Sequence, residues 1–265
     1  MASRTRAAAF SEVDWQAAWL APWRALGLPL AQAVADGKPV HEALNALRGA
    51  PLRFVEHTEL PAGTAYEQFI FDTGCVPTRN NLHDFFNGLV WQRFGQVKLR
   101  LNELQAGALA AQGVGPVRGP LRDACTLLDE SGALLEAPPA LWQALLARDW
   151  QALFVRQRAL WCEARVTLVG HAVMEQLVRP RKSITAHVLI TFNAMNSEAA
   201  QDADLALRLD AGWLASKPFA PLPLLGIPGW WQANELPGFY DDVTVFRPRR
   251  HPLKKTADAA SSSDL

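Results

Sequence analysis

Four polar residues lie close together in the otherwise apolar stretch VPTRNNLHDFFNGLVWQRF. Arg79, His83 and Asn87 follow one another at intervals of four, so on a helix they share one edge, and Asp84 lies beside it. A histidine that titrates near neutral pH, a carboxylate, an amide and a guanidinium at a loop-to-helix junction suit acid/base chemistry on an anion. We therefore predict that His83 and Asp84 are catalytic. Arg79 and Asn87 are predicted to bind the substrate.

The same residues also have a structural explanation. Asn80 or Asn81 can cap the helix, and Asp84 follows Asn81 at the spacing of a capping box. His83 and Asn87 would then form the solvent-facing edge of an amphipathic helix. The sequence leaves both interpretations open.

A second group of titratable residues lies between 170 and 187. His171 begins a short helical segment, Glu175 follows one turn later, and His187 comes early in the next apolar run. Ordinary hydrogen bonding of single histidines to the backbone would explain each of them. We predict His171 as catalytic and His187 as substrate-binding. A divalent metal is a further hypothesis, although the usual HExxH pairing is absent, and its candidate ligands are His83, Asp84, His171 and Glu175.

A third group, Arg118, Arg122 and Asp123, lies around VRGPLRDACTLLDE. Arginines beside glycine and proline can clamp a phosphate or carboxylate with two hydrogen bonds, so Arg122 is a candidate for substrate binding. We favour structural ion pairs with Asp129 or Glu130, because such pairs are frequent in proteins.

The totals exclude several classes of function. Lys plus Arg and Asp plus Glu each number 26, so the chain has no electrostatic footprint for nucleic acid or an acidic membrane. It contains neither GxxxxGK[ST] nor GxGxxG, so no nucleotide-binding motif is indicated. Ten tryptophans against two tyrosines predict a core or cleft with thick aromatic walls. The cofactor and the oligomeric state are left unknown.

Three features predict a soluble, cytoplasmic protein. Cys75, Cys125 and Cys162 are widely spaced and form no CxxC pair, so neither a zinc knuckle nor a disulfide framework is indicated. The start of the sequence lacks the long apolar stretch of a secretory signal. No run approaches the roughly 20 apolar residues that span a bilayer.

The first third of the chain is predicted to mix helices with a hairpin. A first helix carries Trp15 and Trp19 on one face, which we assign to the core, and it ends at Pro22. Two short amphipathic helices follow at 29–36 and 40–48.

Two hairpins are predicted around the central helix. Segments 52–57 and 65–71 flank a turn, and 125–136 has two apolar arms around DESG. Between these hairpins, the helix capped at Asn81 continues into a second helix that passes Leu104.

The next segments alternate between strands and helices. Helices are predicted after Pro139 and after Asp149. Strands at 164–170 and 183–192, with a helix at 171–178 between them, predict a small βαβ-like unit, although this connection is short for a parallel pair.

The last seventy residues are rich in proline and tryptophan, and they predict a long ordered loop packed across the body. The fold class is therefore α+β: a helix-rich single domain, 1–252, with a small mixed or antiparallel sheet and this long Pro/Trp-rich C-terminal segment. Within that segment, 213–240 is predicted to form a wall of the cleft. Residues 253–265 form a predicted disordered tail.

The chain resembles a known bacterial family in three segments: YEQFIFDTGCVPTRNNLHDFFNGLVWQRFGQVKLRLNELQ, RGPLRDACTLLDESGALL and GHAVMEQLVRP. This family is catalogued as domain of unknown function 3025. The resemblance spans about Trp15 to Pro248, and the central helix is its most specific part. It implies a free-standing bacterial protein of this length and implies no reaction. The family pattern often has proline at the position of Gly95, which would sharpen the break between the two central helices.

Two functions remain open from the sequence. In the first, the 77–87 loop-helix and the 170–187 segment converge in a cleft of a small-molecule hydrolase or other acid/base enzyme, and Arg79 with Arg122 holds an anionic small molecule. In the second, the polar residues only brace the fold, and the tryptophan-rich surface binds a ligand or partner without chemistry. Convergence of His83, Asp84, His171 and Arg79 in one place distinguishes the first from the second.

Overall fold

Helices predominate in the structure, a computed structural model that describes residues 9–112, 119–189 and 198–249. The α-helices are α1 (Arg24–Ala35), α2 (Val40–Asn45), α3 (Tyr66–Thr73), α4 (Leu82–Arg93), α5 (Gly95–Gln112), α6 (Pro120–Ser131), α7 (Pro139–Ala147), α8 (His171–Gln176), α9 (Glu198–Arg208) and α10 (Ala211–Ala215). Short 3-10 turns and a π-helical turn at Ala152–Arg156 connect them. No helix in these ranges combines the length and apolar character needed to cross a bilayer.

The strands form two small sheets. They are β1 (Arg53–Glu56), β2 (Cys75–Thr78), β3 (Gly132–Glu136), β4 (Arg165–Leu168), β5 (Thr185–Leu189) and β6 (Phe219–Pro223). β1 and β2 form a parallel pair, and the other four run in the order β4-β3-β5-β6. In this second sheet β3 is antiparallel to β4 and parallel to β5, and β6 is antiparallel to β5. The α+β class with a small mixed sheet is confirmed.

The first predicted hairpin, 52–57 with 65–71, is wrong. Residues 65–71 lie mostly in helix α3, which ends at Gly74 in the left-handed conformation with φ 65°. β1 pairs instead with β2, a strand that was not predicted, and α3 is the crossover between these parallel strands. Periodicity misled here because a short run of aromatic and aliphatic residues fits a strand or a helix equally well.

The second predicted hairpin, 125–136, is wrong in its first arm. Cys125 and Leu128 are both buried and lie three residues apart, which is the spacing of one face of helix α6. The second arm is correct, because strand β3 begins directly at Gly132. DESG, interpreted as a turn, forms the end of α6 and its junction with the strand.

The βαβ-like unit is also wrong as a pairing, although its elements exist. β4, α8 and β5 follow one another as predicted, but β3 lies between the two strands. Because β3 is antiparallel to β4 and parallel to β5, those two strands run in opposite directions. The six-residue helix α8 is too short to carry the chain across for a parallel pair.

The tryptophans lie in the core, as predicted for Trp15 and Trp19, but not on the predicted helix. Trp15 precedes a 3-10 helix, Ala18–Trp23, and Pro22 lies inside that helix rather than ending it. Central helix α4 buries most of its length against this cluster, and Phe10 and Trp15 meet Phe85 edge-on.

The C-terminal segment packs across the body as predicted, but it is not only a loop. It contains helix α10 and edge strand β6, whose Pro221 and Pro223 are tolerated because an edge strand leaves one side of its backbone unpaired. Its buried residues, such as Leu222 and Leu224, join the main core. The predicted disordered tail, 253–265, lies outside the described residues.

Two glycines bring the end of α6 against the start of α8. The carbonyl of Gly132 accepts hydrogen bonds from the backbone N–H of Val169 at 3.0 Å and of Gly170 at 2.8 Å. A Cβ atom at Gly170 would lie 2.5 Å from backbone atoms of Ser131 and Gly132, a separation that real Cβ atoms do not show. No larger residue fits at this junction without moving one of the two backbones.

Replacing Gly170 with alanine is expected to destabilise the fold by about 1–3 kcal/mol, because the methyl group meets backbone that cannot rotate away. Gly107→Ala is the matched control: it lies in α5 with nothing within 4 Å of the new Cβ, and it should stabilise the helix by about 0.5–1 kcal/mol. Urea unfolding followed by tryptophan fluorescence measures both. A Gly170→Ala protein as stable as the parent would show that the junction yields.

Candidate functional site

The N-terminus of α4 is capped as the sequence predicts. The side-chain oxygen of Asn81 accepts a hydrogen bond from the backbone N–H of Asp84 at 2.8 Å. The other candidate cap, Asn80, instead accepts from the backbone N–H of Val40 at 2.8 Å and ties α4 to α2. This cap fixes where the helix begins and therefore which way its first side chains point.

Asp84 does not orient a histidine. Its carboxylate is buried and accepts from the backbone N–H of Arg79 at 2.6 Å, from Nε at 3.1 Å and from Nη2 at 2.9 Å. This bidentate pair raises the pKa of Arg79, whose side chain is about half exposed. Asp84 thus holds the loop before the helix and presents a fixed guanidinium at the surface.

The two predicted catalytic histidines meet, although they lie 88 residues apart in sequence. Nε2 of His83 lies 3.0 Å from Nε2 of His171, and the rings are almost perpendicular. Nδ1 of His83 lies 2.9 Å from Oε2 of Glu175, and Nδ1 of His171 lies 2.7 Å from the backbone carbonyl of Asp129. Helices α4, α8 and α6 therefore supply one chain of hydrogen bonds.

These contacts, together with the burial that keeps His171 neutral by lowering its pKa, assign the protonation states. The Asp129 carbonyl can only accept, so Nδ1 of His171 donates to it, and a neutral His171 then carries a lone pair on Nε2. His83 must donate to that lone pair through Nε2 and to the carboxylate of Glu175 through Nδ1. His83 is therefore an imidazolium, and the two rings share one proton at their contact.

The electrostatics of the two histidines agree with this assignment. The hydrogen bond to Glu175 raises the pKa of His83 above its usual range. Burial lowers the pKa of His171 to about 4 despite the nearby carboxylate of Asp129. The pKa of His83 is higher in the folded protein than its value of 6.5 in the unfolded chain. The ion pair of His83 with Glu175 therefore contributes its full stabilisation below pH 6.5, and this stabilisation is lost as the pH rises through the pKa of the folded state.

A buried polar network continues from the histidines into the core. Lys98 of α5 forms an ion pair with Asp129 and donates to Oδ1 of Asn87 at 2.8 Å. Asn87 donates in turn to the hydroxyl of Tyr66 at 3.2 Å. Burial, Asp84 and Asp129 raise the pKa of Tyr66, so its hydroxyl stays protonated.

The charge of Asp129 is stabilised by this network. Burial would raise the pKa of its carboxyl, but Lys98 and His171 hold it below its ordinary value. A small pocket of about 50 Å³ opens at the inner end of the network and is lined by Tyr66, Lys98 and Asp129. The network therefore runs from the exposed edge of His83 to this pocket.

Asn87 is the one predicted substrate-binding residue in the network. His187 lies elsewhere: its Nδ1 contacts Oγ of Ser131 at 3.0 Å, and it lines a different pocket. Arg122 makes no hydrogen bond or ion pair with the histidine pair among the described residues, and its Nε lacks a partner. The contacts of the described residues do not link Arg122 to Arg79, and the anion clamp of these two arginines stays a prediction.

Two further expectations need correction. The favoured ion pairs of Arg122 with Asp129 or Glu130 are not among the ion pairs of the described residues: Asp129 pairs with Lys98, and Asp123 pairs with Lys217 at 3.5 Å. Arg118 lies outside the described residues. The 213–240 segment, predicted to wall the catalytic cleft, instead lines the pocket at His187.

The candidate metal ligands do not form one centre. Asp84 is engaged with Arg79, and Glu175 approaches Nδ1 of His83 rather than the Nε2 edge that faces His171. In the part of the chain that the structure describes, no group of three or more His, Cys, Asp or Glu side chains is arranged to hold a metal ion. The chemistry that these residues support directly is proton transfer.

Sequence reasoning missed Lys98, Asp129 and Tyr66. A signal for Lys98 was present, because it follows Phe94 and precedes Leu101 on the apolar stripe of α5, where a lysine is rarely buried without a partner. Asp129 was assigned to a turn because α6 was interpreted as a hairpin arm. Tyr66 was missed because helix α3, which it begins, was predicted as a hairpin strand.

Lys98→Met is expected to destabilise the protein by about 2–4 kcal/mol, because it leaves the partly buried carboxylate of Asp129 without its buried partner. Arg156→Met is a matched control, since it breaks a surface ion pair with Asp149 and should cost at most about 1 kcal/mol. Chemical unfolding measures both free energies. Similar losses for the two variants would contradict the buried network.

Glu175→Gln is expected to lower the pKa of His83, because it removes the charge and hydrogen bond that favour the imidazolium. His171 should continue to titrate near pH 4, since burial controls it. NMR titration of the imidazole resonances, assigned with His83→Gln, measures both values. Glu103→Gln, at an exposed pair with Arg100, is the control and should leave His83 unchanged, whereas an unchanged His83 in Glu175→Gln would refute the assignment.

Comparison with known proteins places the chain in a family. Residues 52–250, well over half of the chain, match the model of the family described as protein of unknown function, DUF3025. The chain belongs to this family, as the sequence resemblance indicated. Among curated proteins and solved structures, no match to the chain was found.

Proposed function

We propose that this member of the DUF3025 family is an acid/base enzyme that hydrolyses a small anionic substrate at the exposed edge of His83 and Glu175. The observation that carries the proposal is the 3.0 Å contact between the Nε2 atoms of two histidines whose environments shift their pKa values in opposite directions. Titratable groups whose surroundings push their pKa values apart are typical of acid/base sites.

The contact between the histidines requires a proton. If His83 also lost its Nε2 proton, two lone pairs would face each other at 3.0 Å, and their repulsion would oppose that state. Glu175 and this geometry therefore both favour the charged form of His83. The result is a proton donor that stays protonated to higher pH than an ordinary histidine, because its pKa is raised, and that is still partly exposed to solvent.

Arg79 points to an anionic substrate. Its guanidinium is about half exposed and is held by Asp84 rather than by a surface carboxylate. Arg79 also opposes the protonation of His83 through its charge, which places the guanidinium within electrostatic reach of the ring. An anion bound at Arg79 would offset this repulsion and would sit beside the proton donor.

His83 and Glu175 can complete a hydrolytic cycle together. A leaving-group oxygen that approaches the exposed Nδ1 edge of His83 competes with Glu175 for that proton. Once His83 donates it, the freed carboxylate of Glu175 can take a proton from the attacking water. Transfer of this proton back to His83 over the 2.9 Å contact restores the starting state.

His171 and Asp129 act through His83 and are positioning residues. The Nε2 lone pair of His171 fixes the ring of His83, and the Asp129 carbonyl fixes the tautomer of His171. The Asp129 carboxylate lies 3.8 Å from Nδ1 of His171, so its negative charge would favour a proton that moves onto this ring.

The alternative function, binding through a tryptophan-rich surface, has less support. All ten tryptophans lie in the described ranges, and each is buried or partly buried. Seven of them are buried, and Trp213, Trp230 and Trp231 are partly buried, so most of the indole surface serves the core rather than a partner.

Replacing His83 with glutamine should reduce turnover by about 10²–10⁴ without unfolding the protein, because a partly exposed proton donor is lost. We would measure phenol release from phenyl phosphate, the monophenyl ester of succinic acid and the neutral phenyl acetate, because phenolate is a poor leaving group that benefits from a proton donor. The anionic esters should react faster, and their rate should fall as the pH rises through the raised pKa of His83.

His57→Gln is the control, since His57 is exposed and lies outside the network. It should leave the rates unchanged. Equal rates for His83→Gln and the parent would argue against the proposal, as would release no faster than in buffer for every ester.

A further inference from the structure

A second pocket lies on one face of strands β5 and β6. It encloses about 550 Å³, a volume suited to a small organic molecule. Its floor follows the alternation of the strands: Thr185 and His187 on β5 lie opposite Pro223 and Pro221 on β6. The intervening residues, such as Ala186, point into the core.

The floor is apolar and the rim is cationic. Trp150, Phe219 and Val245 contribute flat apolar surface, and Trp150 is held by a hydrogen bond from its Nε1 to the carbonyl of Arg247 at 2.8 Å. Arg148, Lys217 and Arg247 also line the pocket, and among the described residues no aspartate or glutamate does. Of these three cations, Lys217 forms an ion pair within the described ranges, with Asp123 at 3.5 Å.

Two of these cations occupy strained backbone positions. Arg148 has φ 54° and Lys217 has φ 55°, and they are the only described residues other than glycine with positive φ. Arg148 follows α7, and Lys217 lies two residues beyond α10, with its N–H bonded to the Leu214 carbonyl. Glycine is the favoured residue at such helix ends, so a long cation at both is unexpected from backbone energetics alone.

Strained residues concentrate where a protein binds or reacts. The two strained residues come from different helices, 69 positions apart, yet they line the same pocket. A cation stabilises the C-terminal end of a helix, and that effect alone would explain one of them. It does not explain why both line one pocket that no acidic side chain lines.

His187 adds a polar group with a defined orientation. The hydroxyl of Ser131 donates to the Leu127 carbonyl at 3.0 Å, so its oxygen accepts from Nδ1 of His187 at 3.0 Å. Nε2 of the neutral ring is then an acceptor. The pocket thus combines cationic groups for an anion with one acceptor for a hydroxyl or N–H group.

We propose that this pocket binds a small organic anion with a flat apolar body, its sulfonate, phosphate or carboxylate held by Arg148 and Lys217 and its body against Trp150 and Phe219. The site is separate from the His83 pair, and its existence does not depend on the hydrolytic proposal. An inorganic anion would contact the cations but not the apolar floor, and a neutral apolar molecule would contact the floor but not the cations.

Isothermal titration calorimetry with 2-naphthalenesulfonate tests the proposal on the full chain. The parent protein should bind this anion at least about tenfold more tightly than inorganic sulfate or the neutral 2-naphthalenemethanol, since each of these lacks one half of the recognition. Arg148→Gln and Lys217→Gln should each weaken binding about tenfold or more. Arg165→Gln, which removes an exposed charge outside the pocket, should have no effect.

Arg148→Gly separates binding from folding. Glycine relieves the positive φ, so the melting temperature should stay the same or rise while the affinity falls as it does for Arg148→Gln. The proposal is overturned if 2-naphthalenesulfonate gives no saturable heat at millimolar concentration or if the pocket variants bind it like the parent. Equal affinity for inorganic sulfate and the sulfonate would overturn the role of the apolar floor.

Discussion

The backbone contact between Gly132 and Gly170 fixes the distance between the elements that carry both candidate sites. Gly170 directly precedes His171, so the contact sets the height of that ring against the last turn of α6. Gly132 pairs with His187 in the sheet, so Gly132 also sets the position of His187. The last four carbonyls of a helix lack intrahelical partners, and His171 satisfies one of them at Asp129. The one contact between Gly132 and Gly170 thus positions both His171, in the histidine pair, and His187, in the second pocket.

His83 and His171 differ in pKa because their surroundings differ. His83 lies at a helix start beside a carboxylate and remains partly exposed, so the charged form is favoured. His171 is buried, and its one lone pair is committed to His83, so the neutral form is favoured. Two identical side chains 3.0 Å apart therefore hold one proton between them in a defined direction. Neither ring would have this property alone.

Local patterns in the sequence predicted the site residues at the start of α4. Contacts between distant segments could not be predicted from the sequence. The Asn81 cap and the apolar stripe of α4 were sufficient to place His83, because helix starts follow rules of short range. The hairpins failed because the partner of a strand is decided by distant packing: β1 pairs with β2 across helix α3. The partner of Lys98 lies 31 residues away on a helix that the sequence reading had made a strand, so no local pattern could reveal it.

The ion pair of buried Lys98 with partly buried Asp129 is consistent with a functional origin for the network. Desolvating two charges costs several kcal/mol, and well-packed apolar residues of similar volume are often more stabilising than such a pair. The surrounding core consists of aromatic and aliphatic residues such as Trp91 and Leu101. Apolar side chains in place of Lys98 and Asp129 would therefore have apolar neighbours to pack against. What an apolar pair would not supply is a negative charge beside His171 that is itself held ionised by a fixed lysine. Under the proposed function, the network sacrifices stability for control of a proton, which is the trade expected at an acid/base site.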